Sequence, residues 1–177
     1  MTDVWMPRQK WESLIHGDGC PLCDEVKSKE PEETYGYTIA DLSISRLRLC
    51  KNQYVKGYCV LICHKHVREP YELPQDERDQ FFDDMMRAGL ALENVFKSIK
   101  MNFKILGNAV PHLHCHMEPR FYGDTAPGRP IDPEKGQVFL SPEEYKATVK
   151  QIRDVLNFSS NQRQRKCRKI RLIRTPF

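Results

Sequence analysis

The sequence predicts an α+β domain: an antiparallel sheet with one long helix and one C-terminal helix. Three observations lead there. Ser45, Leu47 and Leu49 alternate with Arg46 and Arg48, the period of two of a half-buried strand. Residues 58–63 (YCVLIC) form an apolar run too short for a helix and bounded by turn signals, which reads as a buried strand. Between 76 and 99, Phe81, Phe82, Met85, Met86, Leu92, Val95, Phe96 and Ile99 recur at three-and-four spacing, the stripe of a core helix.

The remaining elements follow in chain order. Residues 24–36 are charged and carry Pro31 and Gly36, so a loop or a ragged helix end is expected. Residues 37–50 read as extended and 52–57 (NQYVKG) as a turn into the apolar strand. After the long helix, 103–106 and 113–117 look like strands parted by Gly107 and Pro111, and 123–137, rich in Gly and Pro, like an irregular loop. Ser141-Pro142-Glu143-Glu144 starts the last helix. Ser141 can cap it, Pro142 suits its first position and Glu144 completes a capping box.

Composition bounds the answer further. With 177 residues, 40% of them hydrophobic and 29% charged, the chain can build a core and is neither fibrous nor wholly disordered. No apolar run approaches the ~20 residues of a membrane span, and residues 1–11 lack the apolar stretch of a secretory signal. Seven cysteines, an odd number without an export signal, point to reduced thiols and a cytoplasmic protein. The formal charge of +4 becomes −3 for residues 1–158 once the seven cations of 159–177 are set aside. The expected organisation is therefore a domain over 1–158 and a flexible basic tail over 159–177. That tail carries Cys167 and is suited to weak contact with polyanions. Trp5 and Trp11 read as packing anchors.

The chemistry concentrates at His112-Leu113-His114-Cys115-His116. On a strand, alternate side chains share a face about 6.5 Å apart, so three imidazoles stand in a row, which is costly in a core without partners. A neutral imidazole is a good nucleophile toward phosphorus, and a protonated neighbour can offset charge on a non-bridging oxygen. Arg120 follows closely, while Asn102, Gly107 and Asn108 can bring donors to an anion. A second cluster starts at Cys20-Pro21-Leu22-Cys23, whose two-residue gap lets both thiolates reach one tetrahedral metal. A redox reading lacks the surrounding βαβ pattern. Zinc needs two further ligands, for which histidines are the source.

Residues 107–120 (GNAVPHLHCHMEPR) resemble the histidine triad signature, His-x-His-x-His followed by two apolar positions and a closing Pro-Arg. Residues 57–66 (GYCVLICHKH) resemble that family's other landmark: a glycine, an apolar strand, then a histidine after a short basic stretch. The resemblance covers about residues 18–122. It implies a small α+β fold with an antiparallel sheet, a homodimer, and cleavage at the α-phosphate of a nucleotide conjugate, a phosphoramidate or a dinucleoside polyphosphate. His114 would be the nucleophile, forming a nucleotidyl-histidine that water resolves. His116 would hydrogen-bond the phosphate and the leaving-group side, and its identity favours the hydrolase branch over relatives carrying glutamine there. Asn102 and Asn108 would be phosphate donors. The resemblance also completes a structural zinc site, Cys20, Cys23, His66 and His112, with His64 the rival for the third ligand. Ala109 stands where many hydrolases have Ser or Thr, and Glu118 occupies a normally apolar position. Two other classes compete: a nucleic-acid-binding protein using the basic tail, and a structural zinc module with an idle triad.

Overall fold

The computed structural model describes residues 6–133 and 136–173, the stretch 159–173 as backbone alone. Five antiparallel strands, β1 (Gly36–Asp41), β2 (Ser45–Cys50), β3 (Cys59–Cys63), β4 (Lys100–Lys104) and β5 (His114–Arg120), lie in the order β1-β2-β3-β5-β4. Ahead of them come the short helices α1 (Arg8–Ile15) and α2 (Pro21–Lys27). Helix α3 (Gln75–Phe96) joins β3 to β4, and α4 (Pro142–Ile173) follows the sheet. The α+β class is as the sequence predicts, and so is the order strands, long helix, strands, last helix from β1 onward; α1 and α2 are additions that the sequence reading did not contain. The C-terminal helix enters the basic stretch, whose side chains, Cys167 included, lie outside the described residues, as does Trp5. Among the described residues no helix is long and apolar enough to cross a membrane.

The two faces of the sheet are chemically different because strand side chains alternate. Leu47, Leu49, Cys59, Leu61, Cys63, Leu113, Cys115 and Met117 point to one face. There they pack on Phe81, Met85, Ala88 and Leu92 of α3 and on Tyr145, Val149, Ile152 and Leu156 of α4. Both helical sets recur at three-and-four spacing. The opposite face carries Arg46, Arg48, Cys50, Val60, Ile62 and the even-numbered residues of β5. Part of it is covered by Leu14, Cys20 and Leu22 of the N-terminal segment.

Several local expectations hold in detail. The Ser141 hydroxyl accepts from the Glu144 amide (3.3 Å) while the Glu144 carboxylate accepts from the Ser141 amide (2.8 Å), the reciprocal capping box. That amide holds the Glu144 carboxyl below its ordinary pKa. Gly57 has φ 81°, and a Cβ there would lie 2.4 Å from the Phe96 ring, so the turn before β3 needs glycine.

Others are corrected. Residues 37–50 form two strands because the chain reverses at 42–44. Asp84, a buried carboxylate on α3, accepts from the Ser43 and Ile44 amides (3.2 and 3.0 Å) and from the Ser45 hydroxyl (2.8 Å). Arg46 and Arg48, the polar positions of the alternation, are both buried. Arg46 donates to the Glu25 and Ser28 carbonyls, and Arg48 pairs with the Glu25 carboxylate. The stripe of α3 is narrower than its apolar residues imply. Phe82 and Met86 are exposed, and Ile99, also exposed, lies beyond Phe96, where the helix stops as Lys97 turns left-handed (φ 55°). Strand β4 starts at Lys100 and ends at Lys104, earlier than the 103–106 reading.

Candidate functional site

His112, His114 and His116 project from the face opposite α3, with Leu113 and Cys115 buried in the core beneath. Sheet registry supplies the neighbours. Ile62 pairs with His114 and Val60 with His116 on one side; Lys104 pairs with His116 and Asn102 with Glu118 on the other. His114 lies in the sheet's interior rows, 8% exposed.

The hydrogen bonds determine the tautomers. The carbonyl of His112 can only accept, so His114 Nδ1 (2.6 Å away) carries the ring hydrogen and Nε2 is left as a lone pair. His116 Nε2 lies 3.2 Å from that lone pair, so it supplies the N–H of this contact. In a neutral ring His116 Nδ1 is then an acceptor, and its partner is the Tyr58 hydroxyl at 2.5 Å. Burial pushes the Tyr58 phenol well above its ordinary pKa, keeping it a donor. Burial also lowers both histidines, His116 to about 3 with the charges of His114, Lys104 and Arg48 adding to the effect. The site therefore holds an uncharged imidazole with a directed lone pair, backed by a chain of donors from Tyr58 through His116. Tyr58 was not marked by the sequence as anything but strand. Only its pairing with Nδ1 reveals it.

His112 belongs to the second cluster as well. Its Nδ1 lies 3.4 Å from the Cys20 sulfur, 3.5 Å from the Cys23 sulfur and 3.2 Å from His66 Nδ1; Cys23 Sγ is 3.2 Å from His66 Nδ1. All four ligand atoms lie within 4.8 Å of one another. Tetrahedral zinc with ligands at about 2.0–2.3 Å has edges of about 3.3–3.8 Å, close to these separations. The far nitrogens are engaged too. His112 Nε2 donates to the Cys63 carbonyl (2.8 Å) and His66 Nε2 to the Ile15 carbonyl (3.0 Å), which leaves both Nδ1 lone pairs facing the sulfurs. The donor set and its orientation fit a metal ion. Burial raises the Cys23 thiol to about 11, so a cation binding here would displace its proton. His64 lies outside the cluster, beside Asp41 (3.3 Å).

The other sequence candidates are placed differently. Asn102 stands opposite Glu118, one pair beyond His116, and its amide oxygen accepts from Arg120 (2.7 Å). Lys104, not singled out from the sequence, stands opposite His116 instead. Asn108 is exposed and lines a recess of about 160 Å³ with Trp11, Arg68, Tyr71 and Gly107. Arg120 is buried and committed to Asp124, Asn102 and the carbonyls of Ala126 and Arg129, which fold the following loop onto the sheet. Glu118 is fully buried, receiving the Tyr54 hydroxyl and the Lys104 ammonium.

The family profile of the HIT domain matches residues 35–123, from the start of β1 past the end of β5. The chain belongs to the HIT family. Among solved HIT structures, the histidine triad protein of Bradyrhizobium japonicum is 25% identical, with a TM-score of 0.63 over 68% of this chain and 90% of that one. A histidine triad protein of Marinobacter aquaeolei superposes with a TM-score of 0.66 at 21% identity, covering 78% of this chain and 96% of that one. A zinc-bound histidine triad family protein of Mycobacterium smegmatis superposes with a TM-score of 0.58 at 19% identity over 81% and 96%. An uncharacterized HIT-like protein of Methanocaldococcus jannaschii is 27% identical over 73 residues, 39% of this chain. The match spans 57% of that relative's length.

Proposed function

We propose that this HIT protein is a nucleotide hydrolase or nucleotidyl transferase that cleaves a nucleotide conjugate at its α-phosphate through a covalent bond to His114. HIT membership supports a nucleotide-binding or hydrolase-type function; the mechanism rests on one observation. His114 Nδ1 is locked to a backbone carbonyl, so Nε2 is an oriented lone pair beside a hydrogen-bond donor. Nε2 attacks the α-phosphorus, a P–N bond forms, and the bond to the leaving group breaks. The imidazole gains positive charge, which the His112 carbonyl stabilises through Nδ1–H. His116 Nε2–H hydrogen-bonds the phosphate and the leaving-group side. Water then attacks phosphorus, the P–N bond breaks, the nucleotide leaves, and the water proton passes to solvent. Asn108 extends from the loop before the triad as a phosphate donor. Asn102 serves the same role more distantly because Arg120 holds its oxygen. Ala109 offers no hydroxyl to the leaving group.

Cys20, Cys23, His66 and His112 would hold zinc with all four positions filled by protein, so the metal supplies structure rather than a reactive water. Holding it, these four residues would tie the N-terminal segment to the triad strand. The zinc-bound relative supports this reading. A homodimer is supported by the exposed apolar stripe Phe82, Met86 and Leu90 on α3, beside Phe103 at the unpaired edge of β4. The test is AMP release from adenosine phosphoramidate or a dinucleoside polyphosphate. His114→Ala abolishes it with the fold intact. Full activity in that variant refutes the proposal.

A further inference from the structure

Helix α4 changes character along its length. Its first half is held by the body: Tyr145, Val149, Ile152 and Leu156 pack into the core, and Lys150 pairs with Asp154 one turn on (2.7 Å). Phe158 is already exposed, and the helical backbone continues to Ile173, about 25 Å beyond Leu156 at 1.5 Å per residue. Over 159–177 the sequence holds seven Lys or Arg and no Asp or Glu, while residues 1–158 carry a formal +4 − 7 = −3. Six of these cations, Arg163, Arg165, Lys166, Arg168, Lys169 and Arg171, fall within the nine helical residues 163–171. Arg165 and Lys169 are four residues apart, and Arg168 and Arg171 three, spacings at which like charges destabilise a helix. The segment itself supplies no counter-charge.

Azimuth and spacing select the partner. At about 100° per residue the six positions leave no gap wider than about 80° around the axis. Cys167, Ile170 and Ile173 share one arc with Arg163 and Lys166, so there is no continuous apolar face to lay into a lipid surface. An acidic protein surface would meet one side of the cylinder only. A groove between two phosphate ribbons meets both flanks, and the major groove of B-DNA, about 12 Å wide, admits a helix about 10–12 Å across. The deep, narrow major groove of duplex RNA does not. Charge densities correspond as well: one cation per about 2.2 Å of helix axis against one phosphate per about 1.7 Å of duplex. We propose that the basic stretch of α4, residues 163–171, is a sequence-independent binding site for duplex DNA, seated in the major groove. The site is separate from His114, and its readout involves no turnover.

The experiment follows the fluorescence anisotropy of a labelled DNA duplex of about 20 base pairs and arbitrary sequence, titrated with the full chain between about 50 and 200 mM salt. Neutralising about five phosphates gives a slope of log affinity against log salt of about −4 to −5, a loss of about 250- to 1,000-fold over that range. Arg165→Gln/Arg168→Gln/Arg171→Gln is expected to flatten the slope by about 2 to 3 units. Glutamine keeps the helix propensity, and far-UV circular dichroism checks that the body is folded. The corresponding triple Arg→Lys variant keeps the slope, since only charge is read, and Lys146→Gln/Lys150→Gln in the first half of α4 changes it by less than about half a unit. No binding at the lowest salt, or an unchanged slope in the glutamine variant, overturns the proposal. So does equal or tighter binding to an RNA duplex of the same length or to phosphatidylglycerol vesicles.

Discussion

Removing one ligand of the Cys/His cluster should cost stability by an amount that chelation reproduces. Cys23→Ala is the sharpest perturbation because its sulfur lies 3.2 and 3.5 Å from the two histidine nitrogens and its residue sits in the first turn of α2. A metal held at 100 to 1,000 times its Kd stabilises the folded state by about 2.7 to 4.1 kcal/mol. For a domain of this size each kcal/mol moves Tm by about 2–4 °C, which places the expected loss at about 5–16 °C. The same segment carries Glu25, whose carboxylate meets buried Arg48, and Leu22, which covers Val60 and Ile62, so its release exposes both. The assay is thermal unfolding of both proteins with and without a strong chelator, alongside metal content by mass spectrometry. The native protein should lose stability to the chelator and Cys23→Ala should lose nothing further. Equal chelator effects in the two, or none in the native protein, refute the metal staple.

Three further outcomes follow from the same geometry. Tyr58→Phe removes the donor to His116 Nδ1 and should lower kcat about tenfold with little change in KM, measured by steady-state AMP release. Asp84→Ala strands the Ser43 and Ile44 amides and the Ser45 hydroxyl, costing about 2–3 kcal/mol in urea unfolding. Leu90→Asp charges the middle of the exposed α3 stripe and should reduce the mass seen by light scattering from dimer to monomer.

The readable parts of this molecule are those whose partners are close in sequence. The triad spacing places three imidazoles on one face without any knowledge of the sheet, and Ser141 and Glu144 cap a helix within one turn. The Cys20–Cys23 pair announces a metal site, but its histidines come from 43 and 89 residues further on, so they were supplied by resemblance. Alternation puts Arg46 and Arg48 on the other face from Leu47 and Leu49 and says nothing about what covers that face; the α2 segment covers theirs. Phe82 and Met86 looked like core for the converse reason, since helical spacing cannot count how many faces a sheet fills. Registry across β4 and β5 was invisible as well. Lys104, not Asn102, faces His116, and Tyr58 joined the site only once the His112 carbonyl had set the tautomers around it.

The most direct measurement is intact-mass spectrometry of the protein quenched during turnover of diadenosine tetraphosphate. The account predicts a transient adduct of one AMP, acid-labile as a phosphoramidate is, mapping to His114 and missing from His114→Ala. Turnover with no adduct on any histidine, or an adduct that persists in His114→Ala, would contradict it.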